Sequence, residues 1–578
     1  MKQILDCIKK YKKSFIFAVL FMLIDVICEV TQPVLMAAIV GRGIESGNAK
    51  MIIMLGVGMI LLACIAIFAG ASNSKHSAIA GVGFAAELRK KLFNKVQTFS
   101  FKNIDNFSTA SLATRLTNDV TLLQNALVIA MRIMVRAPLM FVFSLIMAIR
   151  MNAKLAVILA IDIPIMVLLL SLIISKAFPL FGKMQKAIDA LNSTIQENLT
   201  NVRVVKSFNR QEFEKKKFKD VNDNLMKTSL SAMNKVIINM PLLMFIMNAS
   251  TVAAIWFGGL QIIDGFSDVA TLTAFVGYIF QILMSLMMFS MMFVMLSRAT
   301  ASYRRVMEIL DTDVDLKDRK RADKSHKFKG NVTFEHVFFK YDRSHDKYIL
   351  KDINFSVKAG ETVAIIGGTG AGKTTLIQLI SRLYDTSKGR VLIDNKDVKS
   401  YSLNHLRNNV AVVLQKNTLF SGTIKENLLW GNQNATDEEI AEAAKAASAH
   451  DFIMSFPNQY DTWIEQGGVN VSGGQKQRLC IARALLKKPA ILILDDSTSA
   501  VDTTTESKIR ESFHTTLKDT TKFIIAQRIS SVKDADKIIV IDDGEIVATG
   551  THEELLKNSE DYQEIYYSQQ EKEERKNA

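Results

Sequence analysis

Residues 361–382 read ETVAIIGGTGAGKTTLIQLISR, and the eight letters from Gly367 to Thr374 decide the fold of everything around them. A run of strand-formers, Glu361 to Ile366, meets a glycine-rich turn that gives way to the helical pattern TLIQLISRL. Gly-x-x-x-x-Gly-Lys-Thr between a strand and a helix is a phosphate-binding loop. Gly367, Gly368, Gly370 and Gly372, with the small Thr369 and Ala371 among them, let backbone N–H groups turn toward phosphate oxygens, and the helix N-terminus adds positive potential. Lys373 is placed to reach the β- and γ-phosphates, Thr374 to ligate Mg²⁺, and Thr375 continues the cradle into the helix.

Such a loop needs a second acidic element, and ILILDD supplies it. The apolar strand Ile491 to Leu494 delivers Asp495, where a carboxylate holds Mg²⁺ through water, and then Asp496. The soluble part of the chain, 331–570, therefore reads as an α/β P-loop domain. Residues 311–330 are charged, with almost no large apolar side chains, and read as a linker; VTFEHVFFKY, Val332 to Tyr341, reads as an edge strand; 571–578 is a charged tail.

A chain of 578 residues exceeds one hydrophobic core, and its first half has a different character. Six apolar segments, near 14–40, 51–74, 126–149, 154–177, 236–263 and 270–297, are long enough to cross a bilayer as helices. The fold class is thus an all-α six-helix transmembrane domain, 1–310, fused to the α/β domain. The basic start MKQILDCIKKYKK leads into a segment too long for a signal peptide and should stay attached as the first span. Lys and Arg gather at that start and in the long connections after the second and fourth spans, which places those connections and both termini on the cytosolic side of the cytoplasmic membrane. Two short turns, Asn106 to Asp119 and Glu197 to Glu214, carry helix-capping residues and mixed polarity, as docking helices would.

The formal charge of +14 is spread along the chain and flanks the apolar runs, so it argues for membrane lipid and against nucleic acid. Cys7, Cys28, Cys64 and Cys480 lie far apart with no CxxC pair, which indicates neither a disulfide framework nor a metal site.

Between the phosphate loop and Asp495 lies VNVSGGQKQRLCIARAL, Val469 to Leu485. Here the sequence resembles the ATP-binding cassette family, whose signature loop corresponds to Ser472, Gly473, Gly474 and Gln475. The resemblance covers nearly the whole chain, and the two cytosolic turns resemble the coupling helices of type IV exporters. It implies that Tyr341 stacks on adenine, that Gln415 in VVLQKNTLFSGTIKENL links Mg²⁺ and attacking water to the membrane domain, and that Asp502 in SAVD lies on the loop crossing a cassette dimer. ATP and Mg²⁺ are the implied cofactors.

Three departures stand against the family pattern. Asp496 replaces the usual Glu that orients the attacking water, and a carboxylate misplaced by about 1 Å costs about 10²-fold in rate. Gln527, in FIIAQRISSV, replaces a His that carries charge and shuttles a proton. EQGG, Glu465 to Gly468, replaces the family order before the signature, leaving Glu465 as the available acid. With VSGGQ intact, the resemblance implies a heterodimer: this chain holds a degenerate site and lends its signature to a competent site on a second half-transporter that has Glu and His. A functional homodimer, or an ATP-regulated subunit that does not transport, are the alternatives.

Candidate cargo residues lie in the spans. Asp25 and Glu29 sit one helical turn apart in the first, where they either face a cationic substrate or pair with a base such as Arg132 or Arg136; Asp162 poses the same question in the fourth. Met284, Met288, Met291 and Met295 line one face of the sixth, a soft surface suited to amphipathic small molecules. The resemblance to heterodimeric multidrug exporters implies ATP-driven export, with lipid or peptide as alternative cargo.

Overall fold

The computed structural model describes residues 2–577 apart from 342–346, 497–500 and 527; among side chains, 290–298, 571–577 and a few single helical positions are also outside the description. The chain divides into two compact units, one of residues 1–97 with 109–312, the other of 98–108 with 313–578.

The first unit is helical. After a short α1 (Lys2–Lys9) come α2 (Lys12–Ile44), α3 (Ala49–Gln97), α5 (Thr109–Met151), α6 (Ala156–Thr200), α7 (Val202–Ser207), α8 (Gln211–Ile263) and α9 (Val269–Asp311), with α4 (Phe101–Asp105) belonging to the second unit. The six longer helices of this unit are long and apolar enough to cross a membrane. Their outward faces are strongly apolar, with Ile67 72% and Phe68 66% exposed, an arrangement stable only against lipid. Inward, Met22, Leu159, Met166, Phe275 and Tyr278 close a core in which the Tyr278 hydroxyl donates to the Val30 carbonyl at 2.9 Å. Helix α6 contains Pro164 and Pro179, α2 contains Pro33 and α5 contains Pro138, whereas the 49 residues of α3 contain none. Two π-helical turns, Arg115–Asp119 and Ala130–Met134, interrupt α5.

The second unit stacks sheets and helices. The larger sheet takes β3 (Thr362–Gly367), β6 (Val410–Val413), β9 (Ile491–Asp495), β10 (Thr521–Ile525), β11 (Lys537–Asp542) and β12 (Glu545–Gly550) in the order β12-β11-β3-β10-β9-β6, parallel except at β12. Strands buried on both faces explain the unbroken apolar runs VAII and ILIL. The smaller antiparallel sheet runs β2 (Leu350–Val357), β1 (Val332–Phe339), β4 (Lys388–Ile393), β5 (Lys396–Asp397). β1 is therefore an interior strand, hydrogen-bonded on both sides, and not the edge strand its sequence suggested; its alternation of apolar and polar residues reflects one covered face, which periodicity cannot distinguish from an edge position.

Residues 313–330 are not a free tether. Asp323 pairs with Lys396 at 2.6 Å, and the Asp394 carboxylate accepts from the backbone N–H of Lys329, Gly330 and Asn331 at 2.7, 3.2 and 2.9 Å. Burial works against the Asp394 anion, but these bonds and those from the Asn331 and His326 side chains hold its pKa below the usual carboxylate range. The short helix between the second and third spans lies earlier than the sequence implied: Ser100 caps α4 in a reciprocal box with Asn103, whereas most of Asn106 to Asp119 runs on into α5.

Candidate nucleotide site

The carboxyl ends of parallel strands are where an α/β sheet offers its loops, and β3 and β9 lie either side of β10. The turn after β3 feeds α10 (Lys373–Ile380). Gly367 has φ +152°, and a Cβ there would stand 2.0 Å from the Ile541 carbonyl oxygen; Gly372, at φ +98°, caps α10 with a left-handed backbone that admits no ordinary side chain. Lys373 Nζ folds back to donate to the carbonyls of Gly367 and Gly368 at 2.9 and 2.7 Å. Burial lowers its pKa against the pull of Asp495 and Asp496.

Thr374 Oγ1 donates to Asp495 Oδ1 at 3.1 Å, which joins the phosphate loop to the end of β9. Asp495 is only 2% exposed. Its pKa is raised by burial first and by Asp496 beside it, against the Thr374 hydrogen bond and Lys373. A buried carboxylate next to a hydroxyl and a second acid is an all-oxygen donor set, which fits a hard cation such as Mg²⁺. Asp496 stands at φ +49°, a left-handed backbone that Asp tolerates better than longer side chains, and its carbonyl accepts from Gln477 Nε2 at 3.5 Å.

Tyr341 borders a cavity of about 430 Å³ together with Tyr348, Ile349, Gly370 and Asp543. Its hydroxyl lies 2.8 Å from Thr375 Oγ1 and its ring meets Tyr384 edge-on at 5.1 Å. Ser472 caps α11 (Gly473–Leu486): Gln475 N–H donates to its hydroxyl at 3.3 Å and its own N–H donates to Gln475 Oε1 at 2.9 Å. The loop with Ser472 and Gly473 is exposed. Asp502 caps α12 (Thr503–Thr516) through Thr505 N–H at 2.9 Å, and Gln415 is exposed beyond β6. Gln527 lies outside the described residues.

The structure thus brings Gly367 to Thr375, Asp495 and Tyr341 together, with Asp496 on the same edge. Tyr348, Ile349, Tyr384 and Gln477 complete this neighbourhood and were not singled out from sequence; only the aromatic letters of Tyr348 and Tyr384 offered a signal. In the first unit, Arg136 Nη1 donates to Asp25 at 2.9 Å and Nη2 to Glu29, while Arg132 goes to Ser74. Both acids share one base. Met284 and Met288 are half-buried on α9; the side chains of Met291 and Met295 lie outside the description.

Comparisons with known proteins meet this geometry at both ends. Residues 15–286 match the family model "ABC transporter transmembrane region" and residues 350–499 the model "ABC transporter". The chain is 41% identical over 569 residues to an uncharacterized ABC transporter ATP-binding protein, YfiB, of Bacillus subtilis, covering 98% of both chains. It is 32% identical over 580 residues to a putative multidrug export ATP-binding/permease protein, YgaD, of the same organism, again covering 98% of each. Among solved structures, a bacterial Atm1-family ABC exporter with ATP bound superposes with TM-score 0.82 at 25% identity, covering 96% of this chain and 98% of that one. A phosphate loop facing a buried acid at one end, six membrane helices at the other and relatives matched along their full length place this chain in the ABC transporter family, as a type IV exporter half-transporter with one membrane domain and one ATP-binding cassette.

Proposed function

We propose that the chain exports amphipathic small molecules across the cytoplasmic membrane, both termini cytosolic, as one half of a heterodimer. ABC exporters work as dimers of such halves. In this reading, ATP lies between the Gly367 to Thr375 loop of one chain and the signature loop of the other. Lys373 leaves the Gly367 and Gly368 carbonyls for the phosphates, Tyr341 stacks on the base, and Thr374, Asp495 and Gln415 would hold Mg²⁺, which when bound neutralises charge on the phosphates. Closure of the cassettes and reopening of the cavity outward follow as alternating access.

The observation that carries the heterodimer is Asp496. A carboxylate one methylene short, on a left-handed backbone suited to Asp, leaves water poorly oriented at this chain's own site, and Gln527 compounds the loss. The intact Ser472 to Gln475 cap serves the competent site on the partner. The relative described as a putative multidrug export protein supports a drug-like cargo.

The test is ATP hydrolysis by the purified chain alone, beside the Asp496→Glu, Gln527→His double variant. Near-absent turnover in the native chain and a gain of about 10²-fold in the variant support the degenerate site. Brisk turnover by the native chain sinks it in favour of a homodimer.

A further inference from the structure

The short helix α4 lies between the second and third spans in sequence, yet it packs with the cassette. Three contacts hold it there. Phe101 packs against the cassette core, Ser100 and Asn103 bond the Asp315 side chain and the Asp313 carbonyl, and Asp105 Oδ2 accepts the Tyr384 hydroxyl at 2.6 Å. Burial, then the bond to Asp105, raises the Tyr384 pKa far above the ordinary phenol value, so it stays a neutral donor at physiological pH.

Tyr384 also faces the other way. It is 8% exposed, meets Phe101 edge-on at 6.1 Å and Phe339 at 5.6 Å, and packs behind the ring of Tyr341 at 5.1 Å and 82°. Tyr341 in turn borders the 430 Å³ cavity and bonds Thr375 in the phosphate loop. One buried side chain therefore touches both the wall of the base pocket and the helix that continues covalently into α3 and α5.

Resting on the reading that Tyr341 stacks on the nucleotide base, we infer that Tyr384 is a positioning residue that couples occupancy of the base pocket to the placement of α4. Phosphates alone engage this route only indirectly, through the single Thr375–Tyr341 hydrogen bond, whereas a base packs on the aromatic ring itself. A base that settles against Tyr341 fixes that ring, the Tyr384 ring behind it is fixed in turn, and its hydroxyl holds Asp105. By reciprocity, an α4 pulled away from the cassette loosens the base pocket.

Hydrogen–deuterium exchange on the full-length chain in detergent tests this, reading residues 98–108 with ATP or inorganic tripolyphosphate as ligand, each as a ratio to the ligand-free rate of the same variant. ATP is expected to slow exchange there about tenfold and tripolyphosphate less than about twofold. Tyr384→Phe keeps the ring and removes only the hydroxyl, and it should reduce the ATP effect to the tripolyphosphate level; Asp105→Ala, at an exposed position, should do the same from the other side. Equal slowing by both ligands, or an ATP effect that survives both variants, overturns the inference. Tyr341→Ala separates the layers. If it leaves ATP affinity unchanged, base stacking itself is wrong; if affinity falls while both variants keep the native exchange ratio, stacking stands and the route through Tyr384 falls.

Discussion

The two units carry their polar chemistry differently. In the cassette, the groups proposed to meet phosphate are neighbours in sequence, backbone N–H groups and glycines strung along one loop, so that a motif states its own geometry. In the membrane unit several polar contacts are remote: Arg136 reaches back 111 residues to Asp25 and Gln281 reaches 137 to Ser144. A bilayer explains the contrast. With no water to satisfy it, a polar side chain that does not bond its own helix, as Ser250 and Ser285 do, must find a partner on another, and helices adjacent in space are distant in sequence.

The strongest attempt to break that comparison is Arg136→Ala. It leaves Asp25 and Glu29 without their shared base, and a cost of about 3–5 kcal/mol is expected, read as a large drop in the thermal midpoint of the detergent-purified chain. Adding Asp25→Asn and Glu29→Gln should restore most of it. A shift near zero would mean that the acids are hydrated, and the membrane unit would then differ from the cassette in pattern only.

Next comes Lys373→Ala, which probes the local chemistry of the cassette. ATP affinity measured by equilibrium dialysis should fall about 10- to 100-fold while the thermal midpoint without nucleotide barely moves. A fall confined to stability would show that the lysine's bonds to Gly367 and Gly368 matter more than phosphate contact.

Smaller, and sharpening rather than breaking, is Asp394→Ala, which removes several hydrogen bonds that tie the linker to the β4–β5 turn, for about 2 kcal/mol. Because the folded pKa is depressed, the native carboxylate contributes stability fully above about pH 4 and loses it as pH falls through the lower folded value. Unfolding midpoints of the native chain and the variant should therefore converge in acid and separate toward neutrality.

The smallest effect is expected for Ser144→Ala. It deletes one neutral hydrogen bond to Gln281, about 1 kcal/mol. A cost several times larger would show that this contact belongs to a cooperative network with Gln281 and the Glu29 carbonyl, to which Gln281 Nε2 donates at 3.0 Å.

Legibility follows the same division. The phosphate loop, Asp495 and the six apolar helices could be read directly, because each is a local pattern with a physical cause. Tyr341 and the signature serine gained their meaning only through family resemblance, since an aromatic at a strand end or a serine before a helix has many ordinary uses. The pairing of Asp25 and Glu29 with a base was foreseeable, but Arg132 and Arg136 stand one helical turn apart and their spacing alone does not choose between them. Tyr384 was out of reach altogether. Its partner Asp105 lies 279 residues away on a helix whose own position was misjudged, and the interior place of β1 was hidden for a similar reason, because strand order is decided by partners elsewhere in the chain.

The uninterrupted α3 has a mechanical consequence. At 1.5 Å per residue its 49 residues extend about 73 Å, more than twice the roughly 30 Å of hydrocarbon that a span must cross. Proline is the usual cause of a kink; α6 carries two and α3 carries none. A stiff rod of that length is a lever: a tilt of about 5° at one end sweeps the other through about 6 Å. Gln97, at its C-terminal end, is four residues from Phe101, so a small rotation imposed at that end is a displacement of several ångströms at the other.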